Sequence, residues 1–275
     1  MNFNSIKLAF SALTLLSFLG SFAQKSFQGK AYYESKTTMD MSGFGGNDLS
    51  EERKKQIADR MKSMLEKTFI LTFNQTESIY KEEEKLEAPG GGGSRWGMMG
   101  SFTGGPQYKN IKDNQLLQEQ EFFGKQFLIK DSLPKLKWVM DGETKQIGNY
   151  MCFKATATKT VPDVAFGFGR GSNDAENDQN KTKDIAITAW YTLQIPINQG
   201  PGDYWGLPGL ILEVSADRTT ILCSKIILNP EEKAEIKVPS KGKEVTKKEY
   251  EEIVEKKTAE MRENFRSSRG GDRRN

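Results

Sequence analysis

Three side chains near one hexapeptide have the chemistry for acid–base work. Asp203 and Glu213 flank "GLPGLI", Gly206 to Ile211, and Lys154 lies upstream in "NYMCFKATATKT". Two carboxylates that converge on one bond are the equipment of glycoside hydrolysis. Nothing in the spacing of Asp203 and Glu213 makes them converge, and solvated surface charge is the alternative reading of each. Other chemistries are closed. The chain has no histidine, which excludes Ser-His-Asp and Cys-His relays and the usual His-containing zinc sites. The run Gly90 to Gly93 is no phosphate cradle, because neither a G-K-[ST] nor a strand–loop–helix setting goes with it. Met98 and Met99 offer thioethers to a soft metal, but two adjacent ones make a poor chelate. No metal and no cofactor is expected.

Cys152 and Cys223 are the only cysteines. In an exported chain such a pair suggests one disulfide, provided their strands are neighbours and the geometry permits. Two separately buried thiols, packed as small apolar groups, are the alternative.

The elements that position these residues follow from periodicity. Phe27, Gly29, Ala31 and Tyr33 alternate as in a strand. "LSEERKKQIADRMKSMLEK" changes to helical spacing, with Ile57, Met61, Met64 and Leu65 on one stripe, Ser50 as N-cap, acidic Glu51 and Glu52 at the start and Lys67 at the end. "TFILTFNQTESIYK" returns to alternation, with Phe69, Leu71 and Phe73 facing one way. Residues 114 to 161 read as three to four consecutive strands punctuated by "DG" and "GN". Two polar, glycine-rich loops are expected near 88–108 and 162–184. "TKKEYEEIVEKKTAEMREN" opens on a capping box, Thr246 with Glu249, and carries Tyr250, Ile253, Val254, Lys257 and Met261 on one face. The order strand, helix, many strands, helix predicts a single α+β domain over 24–265. Its core would be a strongly curved antiparallel sheet, flanked by a helix from the N-terminal half and a C-terminal helix. Residues 266–275 are expected to be a disordered basic tail.

The ends and the charge bound the compartment and the partners. Lys7 precedes an apolar run from Leu8 to Leu19, and Ser21-Phe22-Ala23 follows. That is the pattern of a cleaved export signal over 1–23, and the run is well short of the roughly 20 residues a spanning helix needs. No later segment is apolar enough to span as a helix. Forty basic against 37 acidic side chains nearly cancel, which argues against nucleic acid as a partner.

The motif itself reads as a turn. Pro208 and Gly209 fit the centre of a type II turn, with glycine taking the positive φ, while Gly202 and Gly206 leave room for close backbone approach. Tyr204 and Trp205 can lie over that turn, and Leu210 to Val214 launch a core strand. Trp190, Tyr191, Tyr204 and Trp205 are candidates to line a binding surface, ordinary core packing being the alternative for each.

With these residues in view, the sequence resembles the GLPGLI family, exported proteins from Bacteroidetes named after the hexapeptide, which is unbroken here. Tyr150, Cys152, Lys154 and Ala155 match the family's G-Y-x-C-x-K-A segment, with Asn149 where glycine is usual. "AWYTLQIPINQGPGDYWGLPGLILEV" matches its pattern from Ala189 onward. The resemblance implies a place in the periplasm or on the periplasmic face of the outer membrane, in an accessory role beside TonB-dependent β-barrel transporters. It supplies no catalytic residues. A non-catalytic binding or accessory protein is therefore the leading expectation, its partner a transporter barrel, a lipid or a peptide. A periplasmic hydrolase using the carboxylates near the turn, and a structural subunit of an envelope complex, are the alternatives.

Overall fold

The computed structural model describes residues 27–38, 50–83, 104–162, 182–232 and 235–270. The export signal, most of both glycine-rich loops and residues 271–275 lie outside the described residues, as do Met98 and Met99.

Strand β1 (Gln28–Thr37) leads to helix α1 (Glu51–Leu65), then to β2 (Glu66–Asn74) and β3 (Glu77–Glu82). Next come β4 (Gln107–Asn110), β5 (Gln115–Phe122), β6 (Lys125–Ser132), β7 (Val139–Ile147) and β8 (Tyr150–Pro162). The chain ends with β9 (Thr182–Thr192), β10 (Leu210–Ala216), β11 (Thr219–Leu228), β12 (Lys243–Val245) and helix α2 (Lys247–Gly270). All strands join one sheet in the order β12-β6-β5-β4-β3-β2-β1-β11-β10-β9-β8-β7. Every pairing is antiparallel except β12 with β6.

The fold is thus mainly β, and the strongly curved sheet expected from the sequence is corrected. The sheet is open, with β12 and β7 at its edges, and is not strongly curled. The physical reason lies in what covers its faces. Connections and a helix cover much of its apolar area. Ile195 and Ile197, from the connection after β9, join a cluster with Ala31, Tyr33, Leu71 and Phe73. Leu207 and the partly buried Leu136 and Trp138 cover Ala155, Ala189 and Val214. Ile236 packs on Tyr108, Leu117 and Leu128.

The alternations read from the sequence are the ones the sheet uses. Gly29, Ala31 and Tyr33 are buried on β1, and Leu71 and Phe73 on β2. The span 114–162 holds four strands, β5 to β8. The capping box forms: the Thr246 and Glu249 backbone N–H groups each donate to the other residue's side chain, at 2.7 and 3.2 Å. Tyr250, Ile253 and Val254 pack on Phe122, Phe127, Ile129 and Val245. At α1 the Ser50 hydroxyl accepts from the Arg53 N–H at 3.4 Å. The side chains of Ile57, Met61 and Met64 lie outside the described residues.

Three boundaries shift. Lys67, expected at the end of α1, belongs to β2 and pairs with Glu82 at 2.9 Å. Helix α2 runs to Gly270, past the expected start of the tail at 266, because no proline or glycine stops it earlier. Strand β12 was not expected from the sequence, and its neighbour explains it: parallel pairing with Phe127 to Ile129 is long-range and leaves no local pattern.

Candidate functional site

The hexapeptide closes a long connection, residues 193–209, between β9 and β10. Several backbone bonds pin this connection. Gly206 N–H donates to Asn198 O at 3.1 Å, Leu210 N–H to Ile195 O at 2.9 Å, and Ile211 N–H to Gln199 O at 3.1 Å. Leu207, Leu210 and Ile211 are buried, at 1, 0 and 0% exposure, while Pro208 points to solvent. The glycine roles read from the sequence are exchanged. The positive φ falls at Gly202 (53°) and Gly206 (92°), not at Gly209. A Cβ at Gly206 would meet nothing within 4 Å, whereas one at Gly209 would lie 2.0 Å from Thr192 O. Gly209 is required by close approach to the end of β9, and Gly206 by its dihedral. Similarly, the positive φ of the β7–β8 turn is taken by Gly148 (56°), not by Asn149.

The four aromatics proposed from the sequence are each held by the protein itself. Trp205 Nε1–H donates to Pro134 O at 2.6 Å, and Trp138 Nε1–H donates back to Trp205 O at 2.9 Å. This reciprocal pair ties the motif to the segment before β7. Tyr204 is half-buried in the cluster that contains Leu207. Tyr191 is 5% exposed, and its hydroxyl donates to Met140 Sδ at 3.1 Å. Trp190 is half-buried beneath the Lys145 ammonium, 4.3 Å from the ring centroid. Trp205→Phe keeps the ring contact but leaves Pro134 O without its donor. It is expected to cost about 1 kcal/mol in chemical denaturation; no change would mean that the hydrogen bond is absent in solution.

The acid–base candidates have separate ion-pair partners. Asp203 accepts from Gln107 Nε2 at 2.8 Å on one oxygen. Its other oxygen faces Lys159 Nζ at 3.1 Å and Lys247 Nζ at 3.4 Å. Burial by itself would raise this carboxyl; Lys247 and Lys159, with the Gln107 hydrogen bond, overcome that and hold it far below the usual carboxylate range. Glu213 pairs instead with Lys145 at 2.7 Å. Lys154 pairs with Glu143 at 2.9 Å and Asp141 at 3.3 Å. Asp203 therefore works as a joint. It links β4, β8 and α2 through one side chain, and β4 and β8 stand seven places apart in the sheet order. The 193–209 connection carries that carboxylate between them.

Of the two readings of the cysteine pair, the structure holds the separate thiols. Both thiols are free and buried. Their strands, β8 and β11, are separated by β9 and β10, which removes the neighbour condition the bridge required. Burial pushes the Cys152 thiol up to about 11 and the Cys223 thiol up to about 12, so neither is poised as a nucleophile.

Lys109 was missed by reading the sequence. Its side chain is 0% exposed and donates to Gly200 O at 2.6 Å and to Gly202 O at 2.7 Å. A signal exists, since Gln107 and Lys109 share one face of a short strand. That the face points inward is known only from the pairing Ser78 with Lys109 and Tyr80 with Gln107. No metal-binding group of three or more Cys, Asp or Glu side chains occurs among the described residues, and no described helix is long and apolar enough to cross a membrane.

Residues 138–213 match the family model described as "Protein of unknown function (Porph_ging)", so the resemblance to the GLPGLI family holds over the segment from β7 through the hexapeptide. No curated protein matches the chain. Among solved structures the chain is similar to PNGF-II in two crystal forms. In the C2 form the TM-score is 0.47 at 14% identity, covering 83% of this chain and 33% of that one. In the P21 form the TM-score is 0.45 at 13% identity, with the same coverage. The chain spans about a third of the length of PNGF-II.

Proposed function

We propose that this is an exported envelope protein that binds rather than catalyses, accessory to outer-membrane transport or assembly. The observation that carries the reading is the state of its acid–base groups. Asp203, Glu213 and Lys154 are each engaged in separate ion pairs, and the motif beside them serves as internal architecture. A catalytic pair needs two groups whose environments set them to different protonation states around one reacting bond; here Asp203 sits between two lysines and Glu213 on a third. Export rests on the pattern of residues 1–23, and the envelope role on the resemblance to the GLPGLI family.

The test has two arms. Expressed with its leader in a bacterium with an outer membrane, the protein is expected to begin at Gln24 by intact mass. Purified after gentle solubilisation from a host in which the gene is native, it is expected to retain an outer-membrane β-barrel in fixed ratio. A full-length cytoplasmic product would overturn export. A free monomer that turns over a glycoside in proportion to its Asp203 content would overturn the non-catalytic reading.

A further inference from the structure

Most of the ion pairs described above are open to water, whereas Lys109 is not. Its ammonium has three N–H groups, and two are spent on Gly200 O and Gly202 O. The same nook holds other polar groups. Gln199 is 0% exposed; its side-chain Oε1 accepts from the Ser78 hydroxyl at 2.8 Å, while its Nε2 has no partner. The Tyr80 hydroxyl is likewise buried without a partner. The connection 199–204 is thus fastened to β4 by the buried Lys109 amine and to β3 by the Ser78 hydroxyl, in surroundings that leave some polar groups unpartnered.

The charged and titratable groups around Lys109 are few. From the connection comes Asp203, which attracts the ammonium, and after it Tyr204. From β3 comes Tyr80; Ser78, directly across, and Gln107 of β4 are polar but do not titrate. Across β5 stands Leu116, which does not titrate. Lys159 of β8 and Lys247 of α2 approach the far side of Asp203 and compete for it; Asp131 of β6 accepts from the Lys247 backbone N–H. Glu77 and Tyr108 pair with each other from positions that alternate with Ser78 and Lys109, on the opposite face.

We propose that Lys109 is a pH-sensitive clamp on the connection that carries the motif, closed firmly when its amine is neutral and loosened when it is protonated. The neutral amine still donates to both carbonyls, so the geometry survives deprotonation. The protonated amine keeps those bonds but must also be held as a charge away from water, and opening the connection relieves that cost. Burial lowers the Lys109 ammonium to about 7, with Asp203 opposing. The native state therefore binds fewer protons than an opened one between about pH 7 and the free-lysine value, and closure strengthens with rising pH across that window. With no histidine in the chain, no imidazole titration overlies it. This inference does not depend on the binding role proposed above.

The test is a carbon-13 lysine titration of the full mature chain by NMR, together with amide exchange of residues 199–205 corrected for intrinsic rates. Lys109 is expected to titrate near neutrality, well below the other lysines. Protection of 199–205 is expected to rise about tenfold from pH 6 to pH 8. Lys109→Met and Lys109→Arg should each abolish that rise, and the arginine variant should remain less protected than wild type at pH 8. Titration of Lys109 together with the bulk of the lysines would overturn the proposal, as would a pH dependence that persists in either variant. If neither variant folds, the wild-type titration decides alone.

Discussion

Asp203→Ala is expected to lose about 3 kcal/mol of stability at pH 7, and to lose progressively less than wild type as the solution is acidified. The carboxylate is 24% exposed and is the shared partner of Lys159, Lys247 and the buried Gln107 amide. Its removal leaves two partly exposed lysines without a counter-charge, one buried amide without an acceptor, and Lys109 without its attracting anion. Lysines at 30 and 41% exposure recover some hydration, so the cost sits at the lower end for a broken partly buried pair. The pH sign follows from the depressed carboxyl. Its stabilisation is fully present above the unfolded aspartate value of about 3.9 and is lost as pH falls through the lower folded value. Wild type and variant should thus converge in strong acid. Urea melts at pH 7 and at acid pH measure both quantities. Equal stability of the two proteins at pH 7 would show that the joint between β4, β8 and α2 is not formed in solution.

The second large effect concerns the hexapeptide itself. Gly209→Ala is expected to cost about 3 kcal/mol or more, and Gly206→Ala about 1 to 2 kcal/mol. At Gly209 the new methyl would meet Thr192 O at 2.0 Å and Thr192 C at 2.6 Å. These are backbone atoms, so relief requires parting β9 from the connection that closes on it. At Gly206 there is open space, and the penalty is only the dihedral, φ 92°. Reading the hexapeptide as a type II turn ranks the two the other way, since it assigns positive φ to Gly209. Thermal melts of the two variants discriminate directly: a smaller loss for Gly209→Ala than for Gly206→Ala would restore the type II reading.

That reversal shows where the sequence is legible. Strands could be read wherever they carry their own alternation, because Gly29-Ala31-Tyr33 or Phe69-Leu71-Phe73 reports which face is buried whatever strand lies alongside. The capping box could be read because Thr246 and Glu249 satisfy each other locally. What could not be read depends on approach between distant segments. Gly209 is a glycine because of Thr192, and β12 is a strand because of β6. Curvature was misjudged for the same reason: a periodic strand shows that one face is covered, but not whether another strand or a passing connection such as Ile195–Ile197 covers it. At the candidate site, Asp203 was visible as a charged group in an organised turn. Its three partners lie far away in sequence, and Lys109, a lysine in a polar tetrapeptide, gave no reason to be placed in the interior.

An open sheet of this width carries a hazard that a closed one avoids, because its borders present unpaired backbone groups to any similar strand. One border, β12, is three residues long and runs straight into a helix. The other, β7, is nine residues long and exposes Val139 and Met140 at 65 and 58%. Its register is broken between Met140 and Thr144, where Asp141 and Glu143 hold the Lys154 ammonium of the neighbouring strand. A bulge and fixed charges interrupt the straight ladder on which a second copy would have to dock. The irregularity in β7 thus acts as a guard against fibre growth, keeping a twelve-stranded sheet from templating its own extension.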